Sequence, residues 1–115
     1  MSHARFLRES ALISGRSVDL RSLTDTSVPS QISGGAELLA LTDATVRRQP
    51  EATAAARQNL LDVLGPEALV DAAGTIGNFE MMNRIADATG MPVGTGSKRA
   101  NTDIIELLDI AYMEH

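Results

Sequence analysis

Three charged side chains have a spacing that could support chemistry on one face of a helix. Glu80 and Arg84 are four residues apart, and Asp87 follows Arg84 by three. Residues at these separations are neighbours on a helix surface. One hypothesis is that Arg84 holds the carboxylate of a substrate while Glu80 acts as a general acid or base. The favoured interpretation is an ion-pair ladder on a surface or subunit interface, which contributes less than about 1 kcal/mol.

Two asparagines lie beside this ladder. Asn78 and Asn83 are poor helix formers in the middle of a helical pattern. Either could line a ligand pocket together with Arg84 and Asp87. We favour a structural role, because asparagine side chains usually bond to backbone groups nearby.

No residue pattern predicts a metal site or a cofactor. The chain has no cysteine, and its two histidines, His3 and His115, stand near opposite ends. A thiol nucleophile and cysteine ligands for a metal are therefore excluded. Four methionines could suggest a soft-metal site, but their spacing is more typical of adaptable apolar packing; they are Met81, Met82, Met91 and Met113.

Charge and hydropathy narrow the classes of partner. The net charge is −5 and there is no basic run, so we expect no nucleic-acid partner. No apolar run has the length of a membrane span, and arginines interrupt the apolar residues of the N-terminal segment. The expectation is a cytoplasmic protein without a membrane partner.

The ladder must be positioned by a long helix running from Pro66 to about Thr89. Apolar residues recur there at spacings of three and four, Gly90 suits the position after the helix, and Pro92 prevents its continuation. One side of this helix has almost no side-chain bulk, which predicts that a second helix approaches it closely and offsets the low helix propensity of glycine. The small residues are Ala72, Ala73, Gly74 and Gly77.

The remaining segments predict an all-α fold, a bundle of about four helices. Helices are expected over 36–48, 50–64 and 101–115, with loops over 22–35 and 91–100, whereas 1–21 is compatible with a short helix or a strand. We divide the chain into a partly irregular N-terminal arm, 1–35, and a helical domain, 36–115. The predicted buried stripes are Leu38, Leu39, Thr42, Thr45 and Val46 in the first helix, Leu60, Leu61 and Leu64 in the second, and Ile104, Leu107, Leu108 and Ala111 in the last.

The long helix and its flanks resemble a known family. The stretch "LGPEALVDAAGTIGNFEMMNRIADATGMPVG" is similar to the C-terminal helical signature of the alkylhydroperoxidase D-like, or carboxymuconolactone decarboxylase, superfamily. The preceding "AELLALTDATVRRQPEATAAARQNLLDVLG" looks like the two helices that lead into it, so the resemblance covers roughly residues 36–94. It implies that this chain is a shortened member with an alkylhydroperoxidase D-like C-terminal half.

The redox-active relatives carry a Cys-x-x-Cys motif followed closely by a histidine. This chain has no such motif, and its two histidines are near the ends of the sequence. The resemblance therefore leaves two functional hypotheses. The first is a non-catalytic, cysteine-free, oligomeric helical module that binds a small molecule. The second is an enzyme, either a decarboxylase-like lyase acting on a carboxylated lactone or a degenerate peroxidase-related protein. Thiol-dependent peroxidase activity is excluded in both.

A homo-oligomer is expected, most simply a two-fold dimer. The last helix carries Ile105 beside its buried stripe, and the long helix carries a second apolar side from Met81 to Ile85. A small bundle covers only one face of each helix, and large exposed apolar patches are rare on monomers. Two-fold dimers are the commonest closed assemblies.

Overall fold

The computed structural model describes residues 2–25, 27–92, 99 and 101–108, with residues 2–6 described by their backbone alone. These residues contain helices and no strand, which confirms the prediction of an all-α fold. Five α-helices and one short 3-10 helix are present in this part of the chain. They are α1 (Ser2–Ile13), the 3-10 helix Leu20–Leu23, α2 (Gly35–Val46), α3 (Pro50–Leu64), α4 (Pro66–Thr89) and α5 (Thr102–Leu107).

The sequence of the N-terminal segment is compatible with a helix or a strand, and in the structure it forms helix α1. The turn that follows α1 contains Gly15, whose φ of +69° is a conformation that side chains disfavour. Asp19 then caps the 3-10 helix, because its carboxylate accepts a hydrogen bond from the backbone N–H of Arg21 at 3.1 Å. The predicted loop over 91–100 and the end of the last predicted helix lie largely outside the described residues.

Proline and glycine set the ends of the central helices as the sequence predicts. Pro50 and Pro66 are the first residues of α3 and α4. The N–H at this position has no partner within the helix, so its absence from proline costs no helical hydrogen bond. Gly65 joins the two helices with a φ of +87°, and Gly90 ends α4 in the left-handed conformation. With 24 residues, α4 is about 36 Å long.

The chain forms two compact units, each with its own core. The terminal unit combines Met1–Ile32 with Met91–His115, and the central unit is Ser33–Gly90. This division differs from the predicted division into an arm, 1–35, and a helical domain, 36–115. The predicted division stays a prediction.

The core of the terminal unit is formed by α5 and the 3-10 helix. Leu20, Ile104 and Leu108 pack together, and the half-buried Val18 lies against them. The predicted stripe of the last helix is wrong at Leu107, which is 45 % exposed. Because the helix is short, its buried edge is the one that contacts Leu20, and that edge carries Ile104 and Leu108. Ala111 lies outside the described residues.

The core of the central unit is formed where α2, α3 and α4 meet. Its buried members are Leu41, Ala56 and Leu60. Half-buried apolar residues surround them: Leu38, Leu64, Leu69, Ala72 and Ile76. The predicted stripe of α3 is therefore largely confirmed.

The predicted buried stripe of α2 is wrong at three of its five positions, whereas Leu38 and Leu39 are half-buried and Leu38 packs against the core. Leu41 and Ala44 are buried, whereas Thr42, Thr45 and Val46 are exposed. Neighbouring leucines give this helix a broad apolar arc, and packing against α3 selects the side that carries Leu41. Thr42 faces solvent and donates a hydrogen bond to the Leu38 carbonyl at 2.8 Å.

Helix α4 packs against the core through one side of its first half, which carries Leu69, Ala72 and Ile76. No residue of α4 is fully buried, and of the predicted apolar positions Ala73, Met82 and Ile85 are exposed. The expected close approach of a second helix to the glycines does not occur within the described chain: a Cβ added to Gly74 or Gly77 would meet nothing within 4 Å. The contacts of α4 with α2 and α3 use the opposite side of the helix.

Candidate functional site

The predicted charge ladder lies in the second half of α4 and is open to solvent. Arg84 Nη2 and Asp87 Oδ2 are 3.1 Å apart, and their side chains are 68 % and 67 % exposed. Glu80 is half-buried and makes no ion pair among the described residues. Arg84 therefore pairs with Asp87, three positions further along the helix, and not with Glu80, four positions before it.

Four of the five predicted site residues share one face of α4. At about 100° per residue, Glu80, Asn83, Arg84 and Asp87 lie within about 100° of one another. Asn78 precedes Asp87 by nine residues, which places it on the other side of the helix. Both asparagines are exposed. The helix therefore brings the charged residues and Asn83 together and leaves Asn78 apart.

Exposure limits what this cluster can do chemically. A guanidinium and a carboxylate that are two-thirds exposed interact through water, where ion pairs are weak. General acid–base groups are usually tuned by burial and by desolvated neighbours. The Arg84–Asp87 pair can attract an anion or a partner surface, but its surroundings supply no desolvation.

The shifted titrations of the described residues belong to the terminal unit. A hydrogen bond from the Arg21 side chain lowers the pKa of Asp19, and the two side chains make contacts of 2.6 and 3.0 Å. Ser27 lowers the pKa of Asp25 through hydrogen bonds from its hydroxyl and its backbone N–H. These carboxylates bond within their own turns, so their shifts have a local structural cause.

Asp103 has a long-range partner. Arg8 Nη2 donates a hydrogen bond to Asp103 Oδ2 at 2.8 Å, and this bond lowers the pKa of the carboxyl. Local sequence does not predict this pair, because 95 residues separate its members. Asp103 alone carried a signal, as an acidic residue in the first turn of a helix.

An open groove with a volume of about 450 Å³ lies on the surface of α2 and α3. Small side chains of α2 and acidic side chains of both helices contribute to its lining. Asp62 accepts a hydrogen bond from Gln58 at 2.9 Å on its own helix. The residues that line the groove are Ala36, Glu37, Ala40, Asn59, Asp62 and Val63. No local sequence signal marks it, because it combines residues of two helices.

The described residues contain no group of three or more His, Cys, Asp or Glu side chains that could hold a metal ion. None of the helices they form has the length and apolar character needed to cross a membrane.

The chain was compared with protein-family models, with curated proteins and with solved structures, and none of the three comparisons found a match.

Proposed function

We propose that this protein is a non-catalytic, oligomeric helical module, a cysteine-free member of the alkylhydroperoxidase D-like superfamily. The proposal rests on the resemblance of residues 36–94 to that superfamily and on the absence of cysteine from the chain. The observation that carries the non-catalytic part is the exposure of Arg84 and Asp87, which lie in water and not in a desolvated site.

The chemistry of hydroperoxide reduction supports this proposal. In a thiol peroxidase a thiolate attacks the peroxide oxygen and is oxidised to a sulfenic acid, which a second thiol then resolves. A chain without cysteine can supply neither sulfur. Its two histidines, His3 and His115, cannot replace the thiolate as nucleophile toward a peroxide.

A second candidate function is a decarboxylase-like lyase acting on a carboxylated lactone. One observation favours it: Glu80 is half-buried and stands one helical turn before Arg84. In that function Arg84 would hold the carboxylate of the substrate and Glu80 would move a proton. For the non-catalytic module, binding of a small molecule at the same region of α4 stays a prediction.

Activity assays on the purified full chain distinguish these functions. We expect no hydroperoxide turnover with a thiol reductant and no loss of carbon dioxide from carboxylated lactones. Lyase activity that Glu80→Gln abolishes and Glu51→Gln leaves unchanged would overturn the proposal in favour of the second function. Glu51 is a suitable control because it is an exposed glutamate in the first turn of α3.

A further inference from the structure

Helix α4 carries an uncovered stripe on the side opposite its contacts with α3. Val70 is 70 % exposed and Met81 is 55 % exposed, and Gly74 and Gly77 lie between them with open space above each Cα. Exposed apolar and small residues that repeat along one helix face form the contact surface of paired helices. The position of these residues on the helix indicates which partner fits.

The stripe follows a heptad pattern that is symmetric about its own centre. The spacings are three, four, three, four and three, as in the seam of a pair of packed helices. We call the six residues the seam: Glu67, Val70, Gly74, Gly77, Met81 and Arg84. Each end carries one charge, acidic at the N-terminal end and basic at the C-terminal end.

We propose that the seam binds the seam of a second copy of this chain in antiparallel orientation. Antiparallel pairing places Glu67 opposite Arg84 of the other copy at both ends. Val70 then meets Met81, and Gly74 meets Gly77 at the centre. A parallel pair would instead bring Glu67 against Glu67 and Arg84 against Arg84, which repel. Charge complementarity therefore selects the antiparallel arrangement.

The glycines are the second argument for a copy of α4 as the occupant. Helix axes approach most closely where the contacting side chains are smallest. Both glycines lie at the centre of the seam, where two antiparallel copies cross, and no residue of the described chain uses the space above them. Methionine is suited to the next layer because its flexible thioether fills irregular gaps.

This arrangement rests on the proposed function, which already includes an oligomer. It adds the geometry of the contact between the two copies. The contact is isologous, since the same surface is used by both copies. The seam runs about 26 Å along α4 from Glu67 to Arg84. The Arg84 guanidinium, now paired with Asp87 on its own helix, would also reach the partner's Glu67.

Sedimentation and light scattering across a concentration series provide the first test. We expect the wild-type chain to have twice its monomer mass of 12.2 kDa. Gly77→Leu should weaken the dimer about 10- to 100-fold, because the added side chain forces the helices apart. Thr75→Leu places the same apolar side chain at an exposed position outside the seam and should leave the mass unchanged.

Alanine at the seam glycines distinguishes a covered face from a free one by the sign of its effect. If the face is free, Gly74→Ala and Gly77→Ala raise the melting temperature at every concentration, because alanine is the better helix former. If a second copy packs there, the same changes raise the dissociation constant. A rise in melting temperature with an unchanged mass would overturn the proposal.

Engineered cysteines test the orientation without background, because the chain has none of its own. The double variant Val70→Cys, Met81→Cys should form a disulfide-linked dimer under mild oxidation, since the two positions are opposite one another between copies. Val70→Cys alone should not, because antiparallel packing separates the two Val70 positions by about 16 Å along the helices. Efficient cross-linking of Val70→Cys alone would indicate parallel helices and would overturn the proposal.

Charge exchange tests the ends of the seam. Glu67→Arg and Arg84→Glu should each weaken the dimer, whereas the variant with both substitutions and an equimolar mixture of the two single variants should associate again. A dimer that tolerates Gly77→Leu and does not cross-link would use another surface, which overturns this inference and leaves the proposed oligomeric module intact. A monomer at all concentrations would overturn both.

Discussion

Arg8 and Asp103 form an ion pair that joins the first and last helices of the terminal unit. The Nη2–Oδ2 distance is 2.8 Å, although the residues are 95 positions apart in the chain. Asp103 precedes Ile104, which is completely buried against Leu20. The ion pair therefore links α1 to the helix that carries the buried Ile104.

This pair predicts an acid-dependent loss of stability. Arg8 lowers the pKa of Asp103 below its ordinary value of 3.8, so the folded state releases this proton more readily than the unfolded state. The stabilisation is present above that ordinary value and is lost as the pH falls through the lower pKa of the folded state. Urea unfolding midpoints at pH 7 and pH 3 should differ less for Asp103→Asn than for the wild type.

The control for this prediction is Glu106→Gln, an exposed change on the same helix. It should keep the acid dependence of the wild type. Asp19 and Asp25 also have lowered pKa values, so some acid dependence should persist in Asp103→Asn. An Asp103→Asn variant with the full wild-type loss would show that the ion pair does not stabilise the fold.

Gly34→Ala should destabilise the protein by about 2 kcal/mol, because a left-handed backbone and a steric overlap act together. Gly34 has a φ of +71°, and a Cβ at this position would lie 2.5 Å from Leu64 Cδ1. Gly90 is the matched control, because it has a similar φ of +66° but open space around its Cα. Denaturant unfolding should therefore give a larger loss for Gly34→Ala than for Gly90→Ala. Equal losses would show that the Leu64 side chain moves aside without cost.

Leu60→Ala should destabilise the central unit by about 2–5 kcal/mol, the range for large-to-small changes in a core. Leu60 has no exposed surface and packs against Leu41 and Ala56. Val63, three residues along α3, is 53 % exposed, and Val63→Ala should change the free energy of unfolding by less than about 0.5 kcal/mol. Thermal and urea unfolding of both variants check the assignment, and similar losses for the two would place the core on a different side of α3.

The Arg84–Asp87 pair should contribute little to stability. Both side chains are about two-thirds exposed in the single chain, so a double-mutant cycle with Arg84→Ala and Asp87→Ala, measured at concentrations at which the chain is monomeric, should give a coupling energy under about 0.5 kcal/mol at moderate salt. A coupling above about 1.5 kcal/mol would indicate that a partner surface or a ligand removes the pair from water.

Much of the secondary structure could be predicted from local sequence. Pro50, Pro66 and Gly90 mark helix ends through their own backbone chemistry, which depends on no distant residue. Tertiary structure decided which leucines are buried. Leu38, Leu39 and Leu41 are all apolar, and only the position of Ala56 and Leu60 on α3 selects Leu41 for the core.

The candidate site shows the same division. The sequence by itself determined that Glu80, Arg84 and Asp87 share a helix face, since helix geometry follows from spacing. It also excluded thiol chemistry, because a missing cysteine is a matter of composition. Only the tertiary structure decided that Arg84 and Asp87 lie in solvent, that Arg8 reaches Asp103, and that Gly74 and Gly77 face open space. The physical reason is that burial and long-range pairing depend on which helix faces meet, and residues far apart in the chain decide those meetings.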